Sequence, residues 1–304
     1  MRIRRRVFSL LFIISGFSRS GTLVLKRAWV ETFKDRATID AAFTIDHAHA
    51  RPNSGAKDGD MHAAGRAPKE IGLPMVAEVM NAAATDEQGA ITVIHAKEGQ
   101  NQPVAVTGAW RLWFEHPPAT GSQIQFAVVP PAADTNPDHC FEIHPLTNVG
   151  GNDLVTSFHD IKDFKPKDAR AAFASYENLS VTLAATATGL TLSSNKSGFN
   201  YVLFTMRVSG NTTTLKDKGV AILADVLPDD SVDADVLAPN IRMIFVPGTT
   251  PFPQGKALKK GDTLTVLGIP RVNLNAISSF LSKAGNAQVT RKLPYEMIIV
   301  ALEP

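Results

Sequence analysis

The chain has one cysteine, Cys140, among its 304 residues. An intramolecular disulfide and a four-cysteine zinc site are therefore excluded. It also lacks a long hydrophobic run. The longest N-terminal stretch, Val7 to Phe17, is interrupted by Ser9, Ser15 and Gly16. A bilayer-crossing helix needs about 20 apolar residues, so no transmembrane span is expected. Neither sign of charge is in excess: 31 Lys and Arg stand against 29 Asp and Glu, a net charge of +2. Net charge thus does not indicate nucleic acid as a partner, although a small local basic patch remains compatible with it. There is no Gly-x-Ser-x-Gly elbow, phosphate loop, dinucleotide fingerprint or His-Glu-x-x-His helix, which removes the motif-defined hydrolases, nucleotide enzymes and zinc proteases. Histidine is missing from the second half: all eight lie between His47 and His159.

A hydrophobic content of 44% with 20% charged residues is ordinary for a globular chain, and 304 residues suffice for two domains with cores of their own. Arg2, Arg4, Arg5 and Arg6 ahead of the apolar run give residues 1–21 the pattern of a secretory signal. Ser18-Arg19-Ser20-Gly21 stands where a small-x-small cleavage site belongs, and no acid precedes Glu31, a feature shared with organellar transit peptides. The expectation is export to a periplasm or the exterior if the segment is a signal peptide, and an organellar or cytoplasmic location otherwise.

Period-2 alternation predicts strands. Ile39, Ala41, Phe43 and Ile45 alternate with Asp40, Ala42, Thr44 and Asp46, and further strands are expected at 60–66, 73–80, 90–96, 103–116, 123–129 and 140–147. In Pro103 to His116, Trp110, Leu112 and Phe114 take the core side and Arg111, Trp113 and Glu115 the other. Lys165 to Leu179 has apolar residues at Ala169, Ala172, Phe173 and Tyr176 and reads as an amphipathic helix. After it come an edge hairpin at 182–197, strands at 201–208, 219–227, 241–246 and 262–269, a short helix at 275–283, and a last strand at 296–302.

Two segments match each other. Val104 to Arg111 and Leu264 to Arg271 both read apolar-x-Val-x-Gly-x-x-Arg, and Gly59 and Gly219 lie equally far upstream (108 − 59 = 49; 268 − 219 = 49). A glycine inside a strand marks a bend in a small barrel. Five short strands per half with this glycine in the fourth resemble the OB-fold, a five-stranded, partly open barrel. The fold class expected is mainly β: two OB-like five-stranded barrels joined by a helix, residues 22–160 forming the first, 161–180 the linker helix and 181–304 the second. In this reading the short helix precedes the last strand instead of the fourth.

The chemistry concentrates in the first barrel. Asp46, His47, His49, Asp58, Asp60 and His62 crowd around the Gly59 turn. Strand parity puts Asp60, His62 and Arg66 on one face, Arg111, Trp113 and Glu115 on another, and Glu142 and His144 opposite Phe141 and Ile143, with Glu78 out of step with its apolar neighbours. The ligand-binding candidates are Asp60, His62, Arg111, Trp113, Glu115, Glu142 and His144. The metal candidates are Asp46, His47, His49, Asp60, His62 and His144, because carboxylate with imidazole suits zinc, nickel or manganese. Cys140 beside His139 is no nucleophile–base pair, since adjacent strand residues point to opposite faces.

Asp58-Gly59-Asp60 opening a strand resembles the turn of staphylococcal-nuclease-type phosphodiesterases, which also use an OB barrel. That resemblance implies Asp60 as a calcium ligand and Arg111 as a phosphate contact. Met61 stands where that family has threonine, and Asn81-Ala82-Ala83 replaces its acid followed by Thr-Pro. The leading expectation is an exported, non-catalytic binding or structural protein for a polar ligand or protein partner. The rival is a metal-dependent hydrolase using the same face with a divalent cofactor.

Overall fold

The computed structural model describes residues 20–83, 88–154, 163–198, 200–228, 235–284 and 287–303. Residues 1–19 of the signal-like segment lie outside this set, as does His159. In chain order the elements of the first half are β1 (Ser20–Lys26), α1 (Arg27–Phe33), β2 (Thr38–Ala48), β3 (Met61–Arg66), β4 (Met75–Val79), α2 (Gln88–Lys97), β5 (Pro103–His116), β6 (Ser122–Ile124), β7 (His139–Val149) and β8 (Asn152–Asp153). The second half has β9 (Lys167–Asp168), α3 (Ala169–Asn178), β10 (Ser180–Ala185), β11 (Gly189–Asn195), β12 (Val202–Thr214), β13 (Val220–Leu227), β14 (Ala238–Phe245), α4 (Phe252–Ala257), β15 (Thr263–Val272), α5 (Leu274–Ala284), β16 (Gln288–Lys292) and β17 (Tyr295–Leu302).

Two closed five-stranded barrels dominate. In the first, β2 pairs with β3, β3 with β4, β4 with β7, β7 with β5, and β5 returns to β2. In the second, β12, β13, β14, β17 and β15 close the same circuit. Within each, only the third and fifth strands run parallel. This order is consistent with an OB-like small barrel. Alternation explains β2 directly: Ile39, Phe43 and Ile45 are 1% exposed while Asp40 and Ala42 face out. The fourth-strand glycines sit where the ladder slips. Pairing of β5 with β7 shifts at Gly108, and pairing of β15 with β17 shifts at Gly268. A Cβ on Gly108 would stand 2.5 Å from both Ile143 Cγ2 and the Pro145 carbonyl oxygen. Only glycine admits that bend.

Four expectations change. Ala90 to Ala96 is not a strand but lies in α2, whose Ala90 and Ile94, four apart, turn to the core. The β-branched run Ile91-Thr92-Val93-Ile94 favours a strand locally, and tertiary packing overrides it. With α2 and α4 placed, each barrel has a helix before its fourth strand, and α5 is the extra one. Finally, Ser180 to Asn195 does form a hairpin, but in a third sheet of order β16-β10-β11-β1-β6 that the alternation pattern did not reveal. The 123–129 strand shortens to β6 in that sheet.

One continuous core links the three sheets. Leu23, Leu25, Val181, Leu183, Leu190 and Leu192 of the third sheet pack into the same cluster as residues of both barrels. Helix α3, capped by Asp168 accepting from the Ala171 N–H at 2.9 Å, sets Tyr176 edge-on to Trp113 at 5.5 Å and Phe173 to Phe204 at 5.2 Å. No helix among the described residues is long and apolar enough to cross a membrane.

Candidate functional site

The barrels meet fourth strand to fourth strand. The Arg111 Nε donates to the Pro270 carbonyl at 3.0 Å, and the Arg271 Nη1 donates to the Trp110 carbonyl at 3.0 Å. Each arginine therefore bonds the residue just before its counterpart. Each also pairs with a glutamate directly opposite on the fifth strand: Arg111 Nη1 with Glu142, and Arg271 Nε with Glu296 at 2.7 Å. The face opposite the apolar side of β5 and β7 is therefore the seam between barrels, and its residues are sealed. Asp60, Arg111 and His144 are 0% exposed and Glu142 is 2%. Trp113, expected on an available face, is buried at 1%.

Asp60 lies at the corner ahead of β3. Its N–H is tied to Asp58 Oδ1 at 3.1 Å, and its own Oδ1 accepts from the Asn81 N–H at 2.7 Å. Its Oδ2 accepts from the Tyr201 hydroxyl, which comes from the lead-in to β12. Tyr201 adopts φ 49°, a left-handed backbone that a bulky side chain takes only when its surroundings impose it. His144 Nε2 meets the same hydroxyl at 2.7 Å and Asp60 Oδ2 at 3.5 Å. On its other side, Nδ1 lies 3.4 Å from Glu142 Oε2 and 3.4 Å from Glu78 Oε2. Arg111 Nη2 completes the set on Glu115, at 3.0 Å, and on Asn200.

Burial opposes charge on all these groups, and the neighbours decide which ones keep it. Burial pushes Glu78 up to about 8, reinforced by Glu142 and Asp60 and opposed by His144. Burial disfavours charge on His144 too, but Glu78, Asp60 and Glu142 hold its pKa well above the usual range. Against the same penalty, Arg111 and the imidazoles of His139 and His144 keep Glu142 well below the ordinary carboxylate range. Burial and the Asp60 carboxylate push the Tyr201 hydroxyl well above its ordinary value.

Of the candidates, Asp60, Arg111, Glu142 and His144 converge, with Glu115 at the edge. His62 is adjacent: its Nε2 lies 3.4 Å from Glu78 Oε2, its Nδ1 has no hydrogen-bond partner, and its ring stacks on His49 at 4.6 Å. Burial lowers the pKa of both histidines. Asp46 and His47 lie apart, lining an open groove with Arg66 and Asn101. There Asp46 takes a bidentate contact from Arg66 at 2.8–3.2 Å and the Ala132 N–H at 2.9 Å. A bulge between Ile45 and His47 moves these residues off the seam. Sequence reasoning left out Glu78 and Tyr201. Glu78 was visible as the lone acid within an apolar strand, whereas nothing local marks Tyr201. Asp60, Glu78 and His144 offer one ligand atom each within 4.8 Å of one another, a spacing a metal ion can bridge.

The second barrel provides an internal comparison. Arg111 with Glu142 matches Arg271 with Glu296, and from that anchor the registers run in step. Val76 faces Glu142 as Arg242 faces Glu296, and His62 faces Glu78 as Ala221 faces Ile244. Glu78, His62 and His144 thus correspond to Ile244, Ala221 and Ile298, which belong to an apolar cluster. Asp60 corresponds to Gly219, whose N–H makes the same bond to the carboxylate two residues back, at 3.2 Å to Asp217. No protein-family model matches the chain, and no curated protein matches it either.

Proposed function

We propose that this is a non-catalytic binding protein built from two OB-like barrels, whose first-barrel site accepts a ligand no larger than an ion. The observation that carries this reading is closure. Asp60, Arg111, Glu142 and His144 are at most 2% exposed and are bonded across the seam by Tyr201, Asn200 and Pro270. A hydrolase has to present such groups to substrate. Arg111, the phosphate contact in a nuclease-type reading, instead spends its donors on Glu142, Glu115, Asn200 and Pro270. The matched arginine–glutamate pairs support reading the halves as an internal repeat in which the first copy gained the polar set. Export belongs to the same proposal and rests on the basic-then-apolar N-terminus; N-terminal sequencing of the protein from its native host tests it.

The assay that tests closure is hydrolysis of a phosphodiester such as bis(p-nitrophenyl) phosphate with calcium, manganese or zinc added. The expected rate equals that of the Asp60→Asn variant. Turnover that depends on Asp60 would establish the hydrolase instead.

A further inference from the structure

We propose that Asp60, Glu78 and His144 together bind one divalent transition-metal cation of the zinc, manganese or nickel class in the seam between the barrels. The proposal rests on the reading of the site as closed and ion-sized, and names the ion.

Spacing is the first ground. The three donor atoms, one from each residue, lie within 4.8 Å of one another. Glu78 Oε2 is 3.4 Å from His144 Nδ1 and Asp60 Oδ2 is 3.5 Å from Nε2, so the two carboxylates flank the ring and one of its nitrogens serves the ion. Zinc bonded to N and O at about 2.0–2.2 Å keeps tetrahedral donors roughly 3.3 Å apart, so donors spread over as much as 4.8 Å draw in by about 1.5 Å on binding. The second ground is Glu78. Its side chain is 6% exposed, and its polar contacts among the described residues are two imidazoles at 3.4 Å. Buried carboxylates are ordinarily hydrogen-bonded, and one that is not calls for an unseen partner.

The third ground is the second barrel. Gly219, Ile244 and Ile298 stand at the positions of Asp60, Glu78 and His144, so the second barrel has no polar side chain at these three places. Buried charges generally cost more than the apolar residues that replace them. Their presence in one barrel alone therefore answers a need other than docking. An imidazole at the centre favours a borderline metal over calcium, which takes six to eight oxygens. The outer partners are also in place. The Asn81 N–H and the Tyr201 hydroxyl orient Asp60.

The test uses the full chain, stripped with chelator and dialysed against zinc, manganese or nickel singly, with bound metal measured by elemental analysis and affinity by calorimetry. One equivalent is expected, lost in Glu78→Gln and His144→Gln with a weakening of at least about 100-fold, beyond the roughly 10–100-fold that outer partners cost. His49→Ala, which touches the ring of His62 but none of the three ligands, should bind normally. The double variant Glu78→Ile/His144→Ile copies the second barrel, so it should fold by circular dichroism and take up no metal. Absence of a stoichiometric metal in the folded wild-type chain, or uptake unchanged in these variants, overturns the site and leaves the closed reading standing. Uptake with phosphodiester turnover does the reverse.

Discussion

His139 and His116 stack at 5.1 Å, yet their environments pull them apart. Burial opposes charge on both. Glu142, 3.3 Å from the His139 Nε2, and the Pro137 carbonyl raise His139 above its ordinary value, while burial wins at His116 and lowers it. A raised folded pKa contributes stability that is complete below the unfolded value near 6.5 and is lost as pH climbs through the folded value. The destabilisation caused by His139→Gln should therefore be larger at pH 5.5 than at pH 8.5 in urea titrations. An equal cost at both pH values would show that His139 is uncharged in the fold. At this scale the sequence was informative about which residues matter and silent about what covers them. Parity put Arg111, Glu142 and His144 on the face away from the barrel core. It could not say that a second barrel covers that face, because the covering residues, Tyr201 and Pro270, lie more than 50 positions away in the chain.

Strands with clean alternation were legible: the expected 103–116 is β5 to the residue, β2 falls where apolar residues recur every second position, β12, β13 and β15 overlap their expected ranges, and β17 falls on the apolar run expected at 296–302. The failures share a cause. β1, β6 and β16 are short, and the partners that make them a sheet come from widely separated parts of the chain. The helix α2 carries β-branched residues whose local preference the packing of Ala90 and Ile94 overrides. The match of Gly108 with Gly268 was the more dependable guide, although the strand registers set Gly219 against Asp60 and not Gly59, and it makes a prediction about β5. Gly108→Ala places a methyl 2.5 Å from backbone oxygen and should cost at least about 1–3 kcal/mol, the usual toll of overpacking. Gly198→Ala, with open space around its Cβ, should be near neutral in the same denaturation series.

For the whole molecule, the reciprocal arginines make the barrels one cooperative unit. Arg271 lies 3.6 Å over the Trp110 ring and donates to the carbonyls of Arg36, Ala37 and Trp110 as well as to Glu296. Arg271→Met removes this donor from the Ala37 and Trp110 carbonyls, leaves the Arg36 carbonyl with the Trp110 Nε1–H at 2.8 Å, and leaves Glu296 with Arg242 alone, at 2.7 Å. Breaking a buried pair in this way costs about 3–5 kcal/mol. In the wild type, unfolding followed by tryptophan fluorescence and by far-ultraviolet circular dichroism should coincide in one transition. Two separated transitions would mean that the barrels are stable independently.

The Tyr201–Asp60 bond spans 141 positions of the chain. On a ribosome adding about 5–20 residues per second, that separation is roughly 7–28 seconds. His144 precedes Tyr201 by 57 positions, so for roughly 3–11 seconds at the end of that interval the nascent first barrel has Asp60, Glu78 and His144 without the cover that Tyr201 supplies. Under the proposed metal-binding reading, this order of synthesis would let a cation reach the three ligands before the seam closes.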